Sequence, residues 1–169
     1  LELCYNGPMP ALAFVANKNN LNSIAVLTGA LEADPRTRDL ALYFPWQDER
    51  LMPRLAALAG ATDLLVVALS FATADVPQAA DLLRVLRALQ RPPTVVAGGP
   101  HPSARPREVL QLGAGAVVVG EGEDALPALV ARLVAGEPVE GMPGVAVLAP
   151  DGSLLQGPRP DPIDLDAYP

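Results

Sequence analysis

The segment Val95–Ser103 reads VVAGGPHPS, a buried apolar run that ends in two glycines and then a turn carrying the only histidine of the chain. From Val117 a second such run, VVVGEGED, again ends in a glycine loop at the mouth of a helical stretch. Loops without side chains at the carboxyl ends of neighbouring strands let a large ligand lie directly on main chain. The remaining loops expected at that end, Asn17–Asn22 and Ser70–Thr73, add Asn17, Asn19, Asn20, Asn22, Ser70 and Thr73.

Several known chemistries fail on these residues. Gly120-Glu121-Gly122-Glu123-Asp124-Ala125 formally matches the dinucleotide pattern G-x-G-x-x-A, but it follows the last strand rather than the first. It also sets three carboxylates where a pyrophosphate would sit, a repulsion larger than the helix-dipole gain of about 0.3–1 kcal/mol. Glu123 and Asp124 are read instead as acids favoured in a first helical turn. Gly115–Gly120 has P-loop glycine spacing, yet Glu121 stands where the lysine belongs. A phospho-acceptor receiver would need acids after the first strand and an aspartate after the third, where this chain has Asn17-Lys18-Asn19-Asn20 and Ser70. One histidine between prolines assembles neither a Ser-His-Asp set nor a metal site, so no catalytic residue and no metal ligand is assigned. What the loops share is small size and neutral polarity. That suits a bulky ligand fringed with amides and carrying a nucleotide tail, because amide-to-amide hydrogen bonds satisfy both partners without burying charge.

The elements that must position these loops alternate along the chain. Ala11–Ala16, Asp39–Phe44, Asp63–Leu69, Thr94–Ala97 and Ala116–Val119 read as strands. Asp63–Leu69 is continuous and apolar, as a strand covered on both faces should be. Helical periodicity covers Leu21–Ala33 (Leu21, Ile24, Leu27 and Leu31 inward), then Leu51–Leu58. It returns in Val76–Leu89 (Leu82, Val85, Leu86 and Leu89 inward) and in Glu123–Ala135, which buries Leu126, Leu129, Val130 and Leu133. A short helix over Arg107–Leu112 stops at Gly113. About five βα units in succession predict an α/β, doubly wound, mostly parallel sheet with helices on both faces.

The carboxyl end differs. Gly144–Ala149 and Ser153–Gln156 flank Pro150-Asp151-Gly152, a small β-hairpin. Beyond Gly157 the composition becomes GPRPDPIDLDAYP, an extended, semi-rigid connector. The expected organisation is a Rossmann-like domain over 1–141, a hairpin extension over 142–157 and a Pro-rich linker over 158–169. A connector at the end predicts that the chain is the front piece of a larger protein.

At 169 residues the chain suits one domain, whose core buries roughly 70% of the unfolded surface. Half the residues are hydrophobic and only 4% aromatic, so that core is built from Leu, Val and Ala. A net charge of −7 argues against nucleic acid, whose phosphates want a basic face. The single cysteine, Cys4, excludes an internal disulfide and a cysteine-built iron–sulfur site within the chain. No apolar run reaches about 18 residues, so no membrane span is expected. No basic-then-apolar leader opens the sequence, which reads as cytoplasmic.

The runs Ala68-Leu69-Ser70-Phe71-Ala72-Thr73, Val96-Ala97-Gly98-Gly99-Pro100-His101-Pro102 and Val118-Val119-Gly120-Glu121-Gly122-Glu123 together resemble a known family. It is the cobalamin-binding domain at the amino terminus of cobalamin-dependent radical S-adenosylmethionine enzymes. The connector Asp161-Pro162-Ile163-Asp164-Leu165-Asp166 is similar to the stretch before their radical domain. The resemblance implies a Rossmann-like, flavodoxin-like fold with cobalamin across the carboxyl edge of the sheet and its nucleotide tail in a slot below. Ser70 would hydrogen-bond the tail, and Gly98 and Gly99 would let it pass, a Cβ there colliding with it. Gly120, Glu121 and Gly122 would line the other side, Glu121 meeting a ribose hydroxyl, while Asn17 and Asn20 would bond corrin amides. S-adenosylmethionine and a 4Fe-4S cluster would belong to a downstream radical domain in cis. The CxxxCxxC they need is absent here.

One departure stands out. The well-known cobalamin carriers present a D-x-H-x-x-G loop whose histidine ligates cobalt, whereas here that loop reads Asn17-Lys18-Asn19-Asn20-Leu21-Asn22. His101 cannot supply the motif, with Gly99 two before it and Ala104 three after. The resemblance therefore implies base-off, histidine-off cobalamin, its lower cobalt face seeing Phe71, Thr73 or water, and His101 bonding backbone or the tail. Methyl transfer or other radical chemistry would follow in the whole enzyme. The alternative from a different class is a doubly wound sensor or binding domain for another small ligand or a protein partner.

Overall fold

The computed structural model describes residues 9–159. Cys4 and the connector motif Asp161–Asp166 lie outside the described residues. Strands β1 (Ala11–Phe14), β2 (Ala41–Tyr43), β3 (Leu65–Ser70), β4 (Thr94–Gly98) and β5 (Ala116–Val118) alternate with helices. These are α1 (Leu21–Ala33), α2 (Leu51–Ala61), α3 (Val76–Arg87), α4 (Pro100–Ala104), α5 (Pro106–Leu112) and α6 (Ala125–Ala135). β6 (Val145–Leu148) and β7 (Leu154–Gln156) close the described chain. One seven-stranded sheet results, in the order β2-β1-β3-β4-β5-β6-β7. β1 to β5 pair in parallel, and β6 and β7 add on antiparallel. The expected α/β doubly wound, mostly parallel architecture is the one observed. The hairpin forms about Pro150-Asp151-Gly152, and because β6 pairs with β5 it continues the main sheet.

Right-handed crossovers decide which face each helix covers. The chain steps one way from β1 to β2, putting α1 on one face, and the other way from β2 through β5, putting α2, α3 and α5 on the opposite face. Leu55, Leu83, Leu86 and Val109 accordingly pack against Val67, Leu69 and Ala97. α6 leads into an antiparallel strand and returns to the α1 face, where Leu126, Leu129 and Val130 meet Val66, Val96 and Val118. Strand β3 is buried on both sides, as its unbroken apolar run requires. The two faces are unequally clad: three helices cover one, whereas α1 and α6 alone cover the other. The seam between those two runs over β3 and β4.

Three local expectations change. The residues after Gly99 form the short helix α4 rather than a simple turn. Pro100 and Pro102 sit in its first turn, where amide hydrogens have no helical partner and proline costs nothing. On α1, Leu21 is exposed and Leu27 only half-buried, because the seam lies beneath that end of the helix. On α3, Val85 is half-buried and Leu83 takes the fully buried position.

Candidate functional site

Alternation along the central strands sets the site. Val66, Val96 and Val118 face α1 and α6, so period two points Ala68, Ser70 and Gly98 the same way, and Gly120, in a left-handed bend two residues past the end of β5, lines the same cavity. β3 and β4 thus end in a small residue where the helical cover parts, and Gly120 lies just beyond the end of β5. The result is a cavity of about 360 Å³ between this sheet face and the helices α1 and α6. Its floor is apolar, with Phe14, Ile24, Val96, Val118 and Leu126, and its mouth carries Asn22, Ser23, Glu121 and Glu123. Ser70 stands between the two zones. A second cavity of about 430 Å³ opens across the strand ends, bordered by the Asn17–Asn20 loop, Gln47, Phe71 and the start of α3. The two share Asn20, Leu69 and Ser70, forming one bent cleft over the carboxyl edge. This is where ligands bind in open α/β sheets.

The glycines act differently from one another. A Cβ on Gly98 would meet nothing nearer than the Val118 carbonyl oxygen at 3.9 Å. Gly98 therefore leaves space that the protein itself does not need. Gly99, at φ +92°, is required by its neighbours: a Cβ there would lie 2.7 Å from Ser70 Oγ and 3.2 Å from the Phe71 backbone. The protein alone therefore dictates Gly99, whatever passes over it. Gly120, at φ +87°, has open space around it and is fixed by its left-handed backbone. Its N–H donates to Ser103 Oγ at 3.0 Å, tying the β5 exit to α4. A Cβ on Gly122 would touch the flexible end of Leu27.

The amides are largely committed to the loop that bears them. Asn20 is buried, accepts from the Asn17 N–H at 2.8 Å and donates to the Val15 carbonyl at 2.9 Å. Asn17 accepts from the Asn19 N–H at 2.9 Å and donates to Gln47 Oε1 at 3.1 Å. One N–H of each carboxamide remains for a ligand.

Thr73 and His101 line neither cavity. His101 is 6% exposed, its Nδ1 lies 3.2 Å from Thr73 Oγ1, and its ring stacks on Phe71 with centroids 5.8 Å apart. Its Nε2 is buried without a hydrogen bond, 3.8 Å from a Glu108 carboxylate oxygen. The Phe71 carbonyl accepts from the His101 N–H at 3.3 Å, and the Gly98 carbonyl from the Phe71 N–H at 3.3 Å. The histidine therefore braces the β3 exit loop from behind.

Of the expected residues, Asn20, Ser70, Gly98, Gly99, Gly120, Glu121 and Gly122 meet in the lower cavity, and Asn17 and Phe71 border the upper one. Glu121 is exposed at the mouth. Glu123 also lines that cavity, and its Oε2 is buried without a partner. Gln47 and the apolar floor were not singled out by sequence. Counting back two residues from Ser70, Gly98 and Gly120 along each strand would have found Ala68, Val96 and Val118. Among the described residues no group of three or more His, Cys, Asp or Glu is placed to hold a metal ion. Nor is any helix there long and apolar enough to cross a membrane.

The family model described as B12 binding domain matches residues 15–130. Among solved structures, the cobalamin-dependent S-adenosylmethionine radical enzyme OxsB with aqua-cobalamin bound aligns with 93% of this chain, TM-score 0.66 and 13% identity. The radical S-adenosylmethionine methyltransferase TsrM from Kitasatospora setae, with cobalamin and a 4Fe-4S cluster bound, aligns with 93% at TM-score 0.65 and 18% identity. At such identities the likeness is one of fold. The chain spans 23% of the first and 30% of the second. No curated protein matches it.

Proposed function

Because this chain belongs to the B12-binding domain family, we propose that it holds cobalamin base-off and histidine-off, with the nucleotide tail lodged in the lower cavity. The observation that carries this is the row Ala68, Ser70 and Gly98 on one sheet face, with Gly120 just past the end of β5, beneath about 360 Å³ of space. That volume falls within the range of small-molecule sites, about 300–1,000 Å³. The residues suit the group. An apolar floor accepts a flat heteroaromatic base, and Ser70 Oγ offers a hydroxyl donor to a ring nitrogen. Gly98 leaves the room that a side chain would fill. Asn17 and Asn20 each keep one amide hydrogen for the cofactor's fringe, and Gln47 joins them at the rim.

Histidine-off binding is favoured by two facts. The β1 exit loop carries amides and no histidine, and the His101 ring is packed against Phe71 and Thr73 outside both cavities. Cobalamin, when bound, supplies alkyl-group transfer. This chain's part is to bury the tail, to orient the corrin over the strand ends and to keep Phe71 and the Asn17–Asn20 loop beneath it. The two neighbours named above are radical S-adenosylmethionine enzymes of which the chain spans less than a third. On that basis a downstream radical domain in cis, holding S-adenosylmethionine and a 4Fe-4S cluster, would carry out methyl transfer or other radical chemistry.

Electron paramagnetic resonance of the reduced, cob(II)alamin-loaded chain tests the binding mode. The expected spectrum lacks the nitrogen splitting that an axial imidazole or benzimidazole imposes on cobalt. A resolved nitrogen triplet would contradict it.

A further inference from the structure

We propose that Glu123 is a ligand-binding residue, accepting a hydrogen bond from a sugar hydroxyl of the tail held in the lower cavity; the inference rests on the cobalamin reading above. The sequence offers an ordinary explanation for this acid, since it stands just before α6 where a carboxylate complements the helix dipole. The structure gives it a different setting. Glu123 lines the cavity beside Gly122 and Leu126, and its Oε2 is shielded from solvent with no hydrogen-bond partner. A carboxylate oxygen serving only the dipole needs no burial and is better left in water, because a buried acceptor without a donor is destabilising. Glu121, two residues earlier, is exposed at the same mouth. The role first read for Glu121 thus passes to Glu123.

The chemistry of a nucleotide tail leaves few donors for such an oxygen. Its phosphate is an anion and is repelled by the carboxylate, and an alkylated benzimidazole carries no N–H. The hydroxyls of the sugar are donors, and they lie between base and phosphate. Ser70, between the apolar floor and the mouth, supplies a donor for a ring nitrogen, and Glu123 at the mouth supplies an acceptor for a sugar hydroxyl. The pair would read a nucleoside by both ends, and Glu123 would also turn the phosphate outward to solvent.

The test titrates the wild-type chain, Glu123→Ala and Glu123→Gln with hydroxocobalamin and with cobinamide, which lacks the nucleotide tail. Circular dichroism of each ligand-free variant confirms folding, and Gln keeps an acceptor oxygen at the same position should Ala fail to fold. Glu123→Ala is expected to bind cobalamin about 10- to 100-fold more weakly, the loss of one charge-assisted hydrogen bond. Glu123→Gln falls between it and wild type, and cobinamide binding stays within about twofold in all three. Unchanged cobalamin affinity in the Ala and Gln variants, or an equal loss for cobinamide, overturns the assignment while leaving the cobalamin reading standing. A wild-type chain that binds no cobalamin defeats both.

Discussion

Gly98→Leu is expected to make the ligand-free protein more stable and to weaken its binding of cobalamin roughly a hundredfold, two effects of opposite sign from one substitution. Gly98 is not among the positive-φ glycines, so a side chain there is unstrained. Its Cβ would have its nearest neighbour at 3.9 Å and would point, with Val96, toward the cavity of about 360 Å³. Burying a leucine side chain contributes about 1.5–3 kcal/mol. Replacing glycine restricts the unfolded chain by a further 0.4–1 kcal/mol or so. Ordering the new side chain costs about 0.5–1 kcal/mol, and part of it remains at the open mouth. The net gain is about 1–2 kcal/mol, or roughly 2–8 °C in Tm for a chain of this size. The same atoms occupy the tail's place, and excluding a buried aromatic base costs about 3 kcal/mol of binding, roughly a hundredfold in Kd. Thermal unfolding of the ligand-free variant followed by hydroxocobalamin titration reads both numbers. A variant that melts lower than wild type, or that binds cobalamin equally well, would refute the assignment of that space. Gly99→Ala makes a poor substitute, because Ser70 Oγ and the Phe71 backbone already exclude a Cβ there.

Other perturbations separate bracing residues from binding ones. His101→Ala removes a buried ring that stacks on Phe71 and bonds Thr73, and should lower stability by about 1–3 kcal/mol in chemical denaturation. It should leave the cobalt bands in the visible spectrum unmoved; a changed axial-ligand spectrum would make His101 a cobalt ligand. Asn20→Ala strips the Val15 carbonyl and the Asn17 amide of their partner, with an expected loss of about 1–3 kcal/mol and faster hydrogen exchange at Asn17–Asn20. Asp34 is held below its ordinary value of 3.8 chiefly by the side-chain hydrogen bond from Arg36. A depressed folded pKa stabilises above the unfolded value and is lost as the pH falls through the folded one. Arg36→Ala should therefore cost at most about 1 kcal/mol near neutral pH, and the gap should close below about pH 4.

Strand positions and most helices were legible because each is local. Leu65–Leu69 is apolar throughout and reads as a strand buried on both faces, and Gly113 ends α5 in the left-handed conformation expected of a stop. The glycine and serine loops were legible for the same reason, since each closes its own strand. What could not be read there depends on neighbours from elsewhere in the chain. The cavity exists because three helices cover one face and two the other. That division follows from crossover handedness and from the antiparallel entry of β6. Gly99 looked like a residue cleared for a ligand until the β3 exit was placed beside it. Glu123 looked like a helix-start acid until its oxygen proved to be enclosed. Pro100 and Pro102 disguised α4, because proline is a breaker everywhere except in the first turn.

Retention after gel filtration tests most directly whether this cleft holds a corrinoid by its tail. The chain is incubated with hydroxocobalamin, desalted, and its visible absorption compared with protein concentration. Close to one cobalamin per wild-type chain, with Gly98→Leu emerging colourless, is the predicted result. A folded wild-type protein that leaves the column colourless would contradict it.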